Sequence, residues 1–174
     1  AESGDALTRD LDLPRGSTRT PVRDRDRWID LRESEVRMLA TAGAFRVVVA
    51  SDLRDHRGRP ASASNGELRT LREAGLVETR PYVIGRDRAT LVTLTDRGRE
   101  LLERHRTTDR NGAPQTYYAG FVKPRELSHD AQIYRAYERS AGRLKEKGSV
   151  VTRVVLDYEL KRDYQRFLQD LKRE

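Results

Sequence analysis

The sequence predicts an α+β fold in which helices come first and a β-hairpin follows. Two stretches, "SEVRMLATAG" and "NGELRTLREAG", place apolar residues at helical spacing and end at a glycine. After the second helix, "LVETRPYVI", a turn at "GRDR" and "ATLVTLT" have the alternating pattern of a two-stranded hairpin. A C-terminal part, with a predicted order of helix, strand and helix, completes the chain.

Composition narrows the classes of function. The 174 residues carry a net charge of +7 with a pI near 10.0, which favours a polyanionic partner. Most of the positive charge is arginine, whose planar fork suits phosphate and guanine. Zero cysteines exclude disulfides, thiolate zinc sites and cysteine nucleophiles. No apolar run approaches the ~20 residues of a membrane span. We therefore expect a cytoplasmic protein with no membrane partner and no cofactor.

Three helices are expected before the hairpin. Ser34 or the residues just before it are expected to cap the first helix, which Gly43 ends. Ser51 is the expected cap of a brief second helix that Gly58 closes. Ser62 or Ser64 is expected to cap the third. In that third helix, the apolar positions 68 and 71 mark the buried side. The exposed side is expected to carry Asn65, Arg69 and Arg72.

The hairpin has Gly85 at its tip, and Arg80, Arg86 and Arg88 lie on or beside the exposed loop. Thr95 then caps a further helix, "DRGRELLERHR". Three helices followed by such a hairpin form a winged helix-turn-helix. In that fold the third helix enters the major groove of DNA, and the hairpin reaches the backbone or minor groove.

Two resemblances extend this interpretation. "LRTLREAGLVETR" followed by "GRDRATLVTLTDRGRELLERH" resembles the recognition helix, wing and following helix of MarR-type winged-helix proteins. The resemblance implies that Arg69 and Arg72 lie on a recognition helix, and that Asp87 orients Arg88 towards DNA. The whole chain, including "YYAGFVKPRELSHDAQIYRAYE", is similar to replication-relaxation-like and plasmid or integrative-element mobilisation proteins. This second resemblance implies a role in transcription regulation, replication or conjugative transfer. It also implies that His129 matches a histidine of that family.

Four regions follow from this interpretation. Residues 1–28 are expected to be a flexible arm, 29–106 the winged helix-turn-helix domain, 107–116 a linker and 117–174 a C-terminal region. In the last, Ser128 is expected to cap a long helix ended by Gly148, and "SVVTRVVLDYE" is the strongest predicted strand. The chain lacks a starting Met, and its last residues continue in helical register. We expect it to be a piece of a longer protein.

Catalysis is not expected. A lone His129 at a helix start is more often a structural group than part of a three-histidine relaxase site. Asp157, Glu159 and Lys161 form an acid-x-Lys pattern at a predicted strand end, reminiscent of Mg²⁺-dependent nucleases, but this pattern is common by chance.

The sequence thus predicts a non-enzymatic protein that binds double-stranded DNA, with a homodimer left open. Arg80, Arg86 and Arg88 are expected on phosphates, and Asn65, Arg69 and Arg72 at base edges. Two alternatives stay open. The chain could be the DNA-docking part of a nuclease or other DNA-processing enzyme, or a winged-helix module that binds other proteins.

Overall fold

The computed structural model describes residues 16–84, 86–105, 115–121, 124–148 and 154–173. Helices and small sheets are mixed, so the α+β class is confirmed. In chain order the elements are β1 (Arg19–Asp24), β2 (Arg27–Arg32), α1 (Glu33–Phe45), β3 (Val48–Val49), α2 (Gly66–Glu73), β4 (Val77–Ile84), β5 (Asp87–Leu94), α3 (Asp96–His105), α4 (Pro124–Glu146) and α5 (Asp157–Leu171).

Two antiparallel sheets organise the fold. β1 and β2 form a hairpin, and β3, β5 and β4 form a three-stranded sheet in that order. One face of the larger sheet carries Val48, Val92 and Leu94, which share the main core with α1, α2 and α3. The other face carries Val49 and Leu91, which form a smaller cluster with a residue of α4.

The central element is α1, because nearly every residue from Ser34 to Phe45 is buried. Phe45 packs against two tyrosines of α4, with ring centroids 5.0 Å from Tyr134 and 4.9 Å from Tyr137. Tyr117 and Leu156 are buried in the same core. The described C-terminal residues thus share one core with the residues before them.

The predicted end of α2 at Gly75 and the predicted cap of α3 at Thr95 are confirmed. α2 ends in a Schellman motif, in which Gly75, at φ 76°, donates its N–H to Arg72 and Leu76 donates to Leu71. Thr95 caps α3, because its hydroxyl accepts the backbone N–H of Gly98 at 3.1 Å. The end of α2 and the start of α3 could each be predicted from one residue, because Gly75 and Thr95 act through their own local hydrogen bonds.

The predicted flexible arm, 1–28, is wrong for its last ten residues. Residues 1–15 lie outside the described part, but 19–28 belong to the β1–β2 hairpin. The buried Asp24 accepts from Arg27 at 2.9 Å and from Arg97 at 3.1 Å, and Arg27 also donates to the carbonyl of Ala74. The alternating charges at this turn therefore hold the hairpin onto α2 and α3.

Several predicted helix boundaries are also corrected. α1 begins after Arg32 and passes Gly43 to end at Phe45. The brief second helix is a single 3₁₀ turn, Ala50–Asp52, so two α-helices precede the β4–β5 hairpin in the described chain. α2 follows Asn65, and neither Ser62 nor Ser64 is its cap. α4 begins at Pro124, which places Ser128 inside the helix.

The strand predicted over 149–159 is not found in its described part. Residues 154–156 are irregular, and α5 begins at Asp157. The backbone of Val154 forms hydrogen bonds with a side chain and not with a neighbouring strand. The Gln115 amide donates to the Val154 carbonyl at 2.8 Å and accepts its N–H at 2.7 Å. Gln115, assigned to the linker, is therefore buried and structural.

None of the helices in the described residues is long and apolar enough to cross a membrane.

Candidate nucleic-acid interface

The exposed face of α2 carries the three residues expected to read bases. Asn65, Arg69 and Arg72 follow one another at steps of four and three residues, so they lie along one side of the helix. All three are exposed, whereas Leu68 and Leu71 on the opposite side are fully buried. Burial of these two leucines fixes which side of α2 faces solvent.

A polar cluster holds the first turn of α2 against α1 and β2. Glu67 accepts the Ser34 hydroxyl at 2.8 Å and lies 3.5 Å from the Arg32 guanidinium. His56 contacts both Glu67 and Arg32. Charged groups that are partly buried and hydrogen-bonded on several sides resist displacement. α2 is therefore anchored at the end where its exposed side begins.

The tip of the β4–β5 hairpin presents Arg86 and Arg88 to solvent. Both side chains are exposed, and neither forms an ion pair with any residue in the described part of the chain. The pair implied by the MarR resemblance, Asp87 with Arg88, is likewise not formed among the described side chains. These two arginines are therefore available to an external anion.

Strand register separates the predicted hairpin arginines into two groups. Arg88 lies opposite Val83, on the sheet face that also carries Val92 and Leu94 and against which α2 packs. Arg80 lies opposite Leu91, on the other face, where its guanidinium carbon is 4.5 Å from the ring centroid of Phe121.

The structure thus brings Arg88 to the same side of the sheet as α2 and places Arg80 on the opposite side.

Arg69 is exposed but paired. Its Nε donates to Glu73 at 2.8 Å, one turn further along α2. Both side chains are about half exposed, 52% and 59%, so this i,i+4 pair contributes roughly 0.2–1 kcal/mol. This pair is therefore weak enough for another acceptor to replace Glu73.

Sequence reasoning missed the residues that support α2. Arg32, His56 and Glu67 lie far apart in sequence, and no local spacing connects them. Ser34 was predicted as a helix cap, but its hydroxyl binds Glu67 instead.

The catalytic candidates gain no supporting geometry. His129 is in α4, and its side chain lies outside the described residues. Asp157 and Glu159 fall in the first turn of α5 and Lys161 follows in the same helix, so the acid-x-Lys pattern is not at the end of a strand.

Comparison with protein-family models, with curated proteins and with solved structures finds no match to this chain.

Proposed function

We propose that the chain binds double-stranded DNA through a winged-helix arrangement, with α2 in the major groove and the β4–β5 hairpin on the backbone or minor groove. The observation that carries the proposal is the position of the exposed arginines. Arg72 on α2 and Arg88 on the hairpin lie on the same side of the β3–β5–β4 sheet, and Arg86 is at the hairpin tip.

The order of elements supports the same proposal. A helix, a short strand, a second helix and a hairpin follow one another, and the short strand joins the hairpin in one sheet. That order matches a winged helix in which the second helix has shrunk to the 3₁₀ turn at Ala50–Asp52. The exposed arginine side of α2 is then the part that meets base edges.

The proposed contacts differ from the full predicted set. Arg86 and Arg88 contact phosphates, whereas Asn65, Arg69 and Arg72 approach base edges. Arg80 is left out, because it lies on the opposite sheet face against Phe121. By resemblance, the DNA would be a control, replication or transfer site of a mobile element.

Fluorescence anisotropy with labelled duplexes across a salt series tests the proposal. We expect log affinity to fall linearly with log salt for the wild type. Replacing Arg86 and Arg88 with alanine should make the slope shallower by about 2, since each lost phosphate contact accounts for about 0.9.

Arg166→Ala, an exposed arginine of α5, is the matched control and should leave the slope unchanged. Failure to bind any duplex at low salt would contradict the proposal and would favour a module that binds other proteins. An unchanged slope in the double variant would contradict the assigned role of the hairpin.

A further inference from the structure

An exposed tryptophan lies on the β1–β2 hairpin, on the face turned away from the core. Trp28 is the one tryptophan of the chain, and 67% of it is exposed. Side chains alternate between the two faces of a strand, and Ile29 and Leu31 of β2 pack in or against the core. Trp28 therefore points the other way and gives little of its large apolar surface to folding.

The hairpin that carries Trp28 is held firmly on the rest of the protein. Val22 of β1 is buried in the main core. Asp24, also buried, accepts from Arg27 within the hairpin and from Arg97 of α3. The face that carries the tryptophan is therefore a fixed surface, and such a surface loses little freedom when a ligand binds.

Arginines flank Trp28 on this face. Strand register defines the outer face of the hairpin as Arg19, Pro21, Arg23, Trp28, Asp30 and Arg32. Arg23 is directly opposite Trp28, where facing Cβ atoms lie about 4.5–5.5 Å apart. Arg19 is four residues along β1, or about 13 Å. At the far end, Arg32 already pairs with a glutamate of α2, and Asp30 is the one carboxylate of the six. The excess of positive charge is small, so charge alone does not select a ligand.

A ligand for the outer face must combine a flat ring with an anion. The Trp28 ring can stack on a second ring, and the guanidinium of Arg23 beside it attracts a negative group. A nucleotide joins a flat base to a phosphate and repeats both along a strand. Proteins that bind single strands combine aromatic rings with a basic surface in this way. The base must be unpaired, because a duplex keeps its bases inside the stack.

We propose that the outer face binds single-stranded nucleic acid, with an unpaired base stacked on Trp28 and phosphates of the same strand at Arg19 and Arg23. This site lies on β1 and β2, whereas the contacts proposed for duplex DNA lie on α2 and the β4–β5 hairpin. Such binding goes beyond the proposed function and does not depend on it.

The intrinsic fluorescence of Trp28 tests the stacking directly, because the chain has no second tryptophan. Titration of the full chain with a short single strand of thymidine nucleotides should quench the emission in a saturable way. The matched control is an abasic strand of the same length, which keeps the phosphates and lacks the bases. It should bind more weakly and leave the emission unchanged. Equal quenching by the two strands would overturn the proposal.

Anisotropy of a labelled thymidine strand measures the contribution of the ring. Trp28→Ala should weaken binding about tenfold, the effect of one lost stack between a base and an aromatic ring. Trp28→Phe keeps a ring and should lose less. Phe167→Ala removes an exposed aromatic side chain from α5 and should bind like the wild type. Circular dichroism checks that each variant is folded. Equal affinity of Trp28→Ala and the wild type would contradict the stacking.

Changes of charge test the contacts with phosphate. Arg19→Gln and Arg23→Gln should each make the slope of log affinity against log salt shallower by about 0.7, the share of one phosphate contact on a single strand. Asp30→Asn should strengthen binding, because it removes a negative charge two residues from Trp28. Unchanged slopes in both arginine variants would show that the strand does not follow the outer face, and would overturn the proposal.

Strands of thymidine and of uridine nucleotides distinguish DNA from RNA as the source of the unpaired base. The polymer that binds more tightly is the ligand. The absence of saturable quenching with either strand would overturn the proposal and would favour a protein as the partner of Trp28. None of these titrations contains a duplex, so their failure is distinguishable from failure of the proposed duplex binding.

Discussion

Gly98 and Thr95 explain why α3 can begin directly after β5. The Thr95 hydroxyl donates to the Gly75 carbonyl and accepts the Gly98 N–H, so one side chain connects the end of α2 to the start of α3. A Cβ on Gly98 would lie 2.1 Å from the carbonyl oxygen of Leu76. The Thr-x-x-Gly sequence is thus explained both by the helix cap that Thr95 forms and by the lack of space for a side chain at Gly98.

Gly98→Ala should destabilise the fold. The added methyl group meets backbone atoms, which cannot rotate away as a side chain can, so α3 must shift from Leu76. Overpacking of this kind typically costs about 1–3 kcal/mol of unfolding free energy. Urea denaturation followed by circular dichroism measures the loss.

Gly142→Ala is the matched control, because a Cβ at this exposed position of α4 meets no atom within 4 Å in the described residues. Alanine there should be neutral or stabilising by about 0.5–1 kcal/mol. Equal stability of the two variants would contradict the close approach of α3 to Leu76.

Glu35 should make stability depend on pH. Its pKa is raised in the folded protein, chiefly by burial, so the unfolded chain ionises first as pH rises. Stability therefore falls from about pH 4, the ordinary range of a glutamate, until the folded pKa is passed. Glu35→Gln removes this loss. The variant should be more stable than the wild type at neutral pH and gain nothing below about pH 4.

Thermal unfolding midpoints of the two proteins across this pH range are the measurement. Glu103→Gln, an exposed glutamate of α3, should show no such difference. A gain for Glu35→Gln that is equal at every pH would mean that ionisation of Glu35 is not its cause.

The β1–β2 hairpin is the element that sequence reasoning missed, and long-range pairing explains why. Asp24 is buried between Arg27 and Arg97, and Arg25 pairs with Glu100. Arg97 and Glu100 are more than seventy residues away from the turn in sequence. The sequence of the turn alone therefore resembles a solvated run of mixed charge. Its role is to join α3 and the end of α2.

Asp24→Ala should destabilise the protein by about 1–3 kcal/mol, because it leaves two guanidinium groups without their carboxylate. The arginines are partly exposed, at 41% and 28% of their side chains, which keeps the loss below that of a fully buried pair. Denaturant unfolding measures the difference.

Asp26→Ala also removes one aspartate carboxylate, but from an exposed position of the same turn. It should change stability by no more than about 0.5 kcal/mol. A loss equal to that of Asp24→Ala would show that net charge at the turn matters, not the buried contacts.

The helix α2 and the strands β4 and β5 were predicted from local sequence signals. Gly75 and Thr95 act through their own backbone and hydroxyl groups, so their roles could be predicted from sequence. The strand expected over 149–159 could not be tested by local signals, because a strand forms only when a second strand pairs with it. In the described part of this segment, the backbone of Val154 forms hydrogen bonds with the Gln115 side chain.

The separation of Arg80 from Arg88 was available in the sequence. In a hairpin that pairs Val83 with Arg88, residue 83 shares a face with 88, and residue 80 must point to the other face. Grouping the hairpin arginines by proximity to the loop ignored this alternation. The polar cluster around Glu67 carried no comparable signal, because its members come from three separate segments.

At the scale of the whole molecule, part of the positive charge is paired with carboxylates among the described residues. The arginines that form ion pairs in the described part of the chain include Arg25, Arg27, Arg32, Arg59, Arg69, Arg97, Arg99 and Arg135. Under the proposed function, affinity for DNA would therefore depend more on where the exposed arginines lie than on the net charge of +7. Binding should depend on their placement, with a salt dependence set by a small number of phosphate contacts.

The shared core gives these arginines a fixed frame. α1 contacts both the sheet and α4, and α2 is held by the core at Leu68 and Leu71 and by Glu67 at its first turn. Under the proposed function, this packing would preserve the spacing between α2 and the hairpin that contact with one groove and its flanking backbone requires.

Backbone amide chemical shifts, measured by NMR as a short duplex is added, test the location of the interface most directly. We predict that the largest changes fall on α2, Gly66–Glu73, and on residues 86–88 of the hairpin, with little change in α5. Changes confined to α4 or α5, or to the Arg80 face of the sheet, would contradict the proposed docking of α2 and the hairpin on DNA.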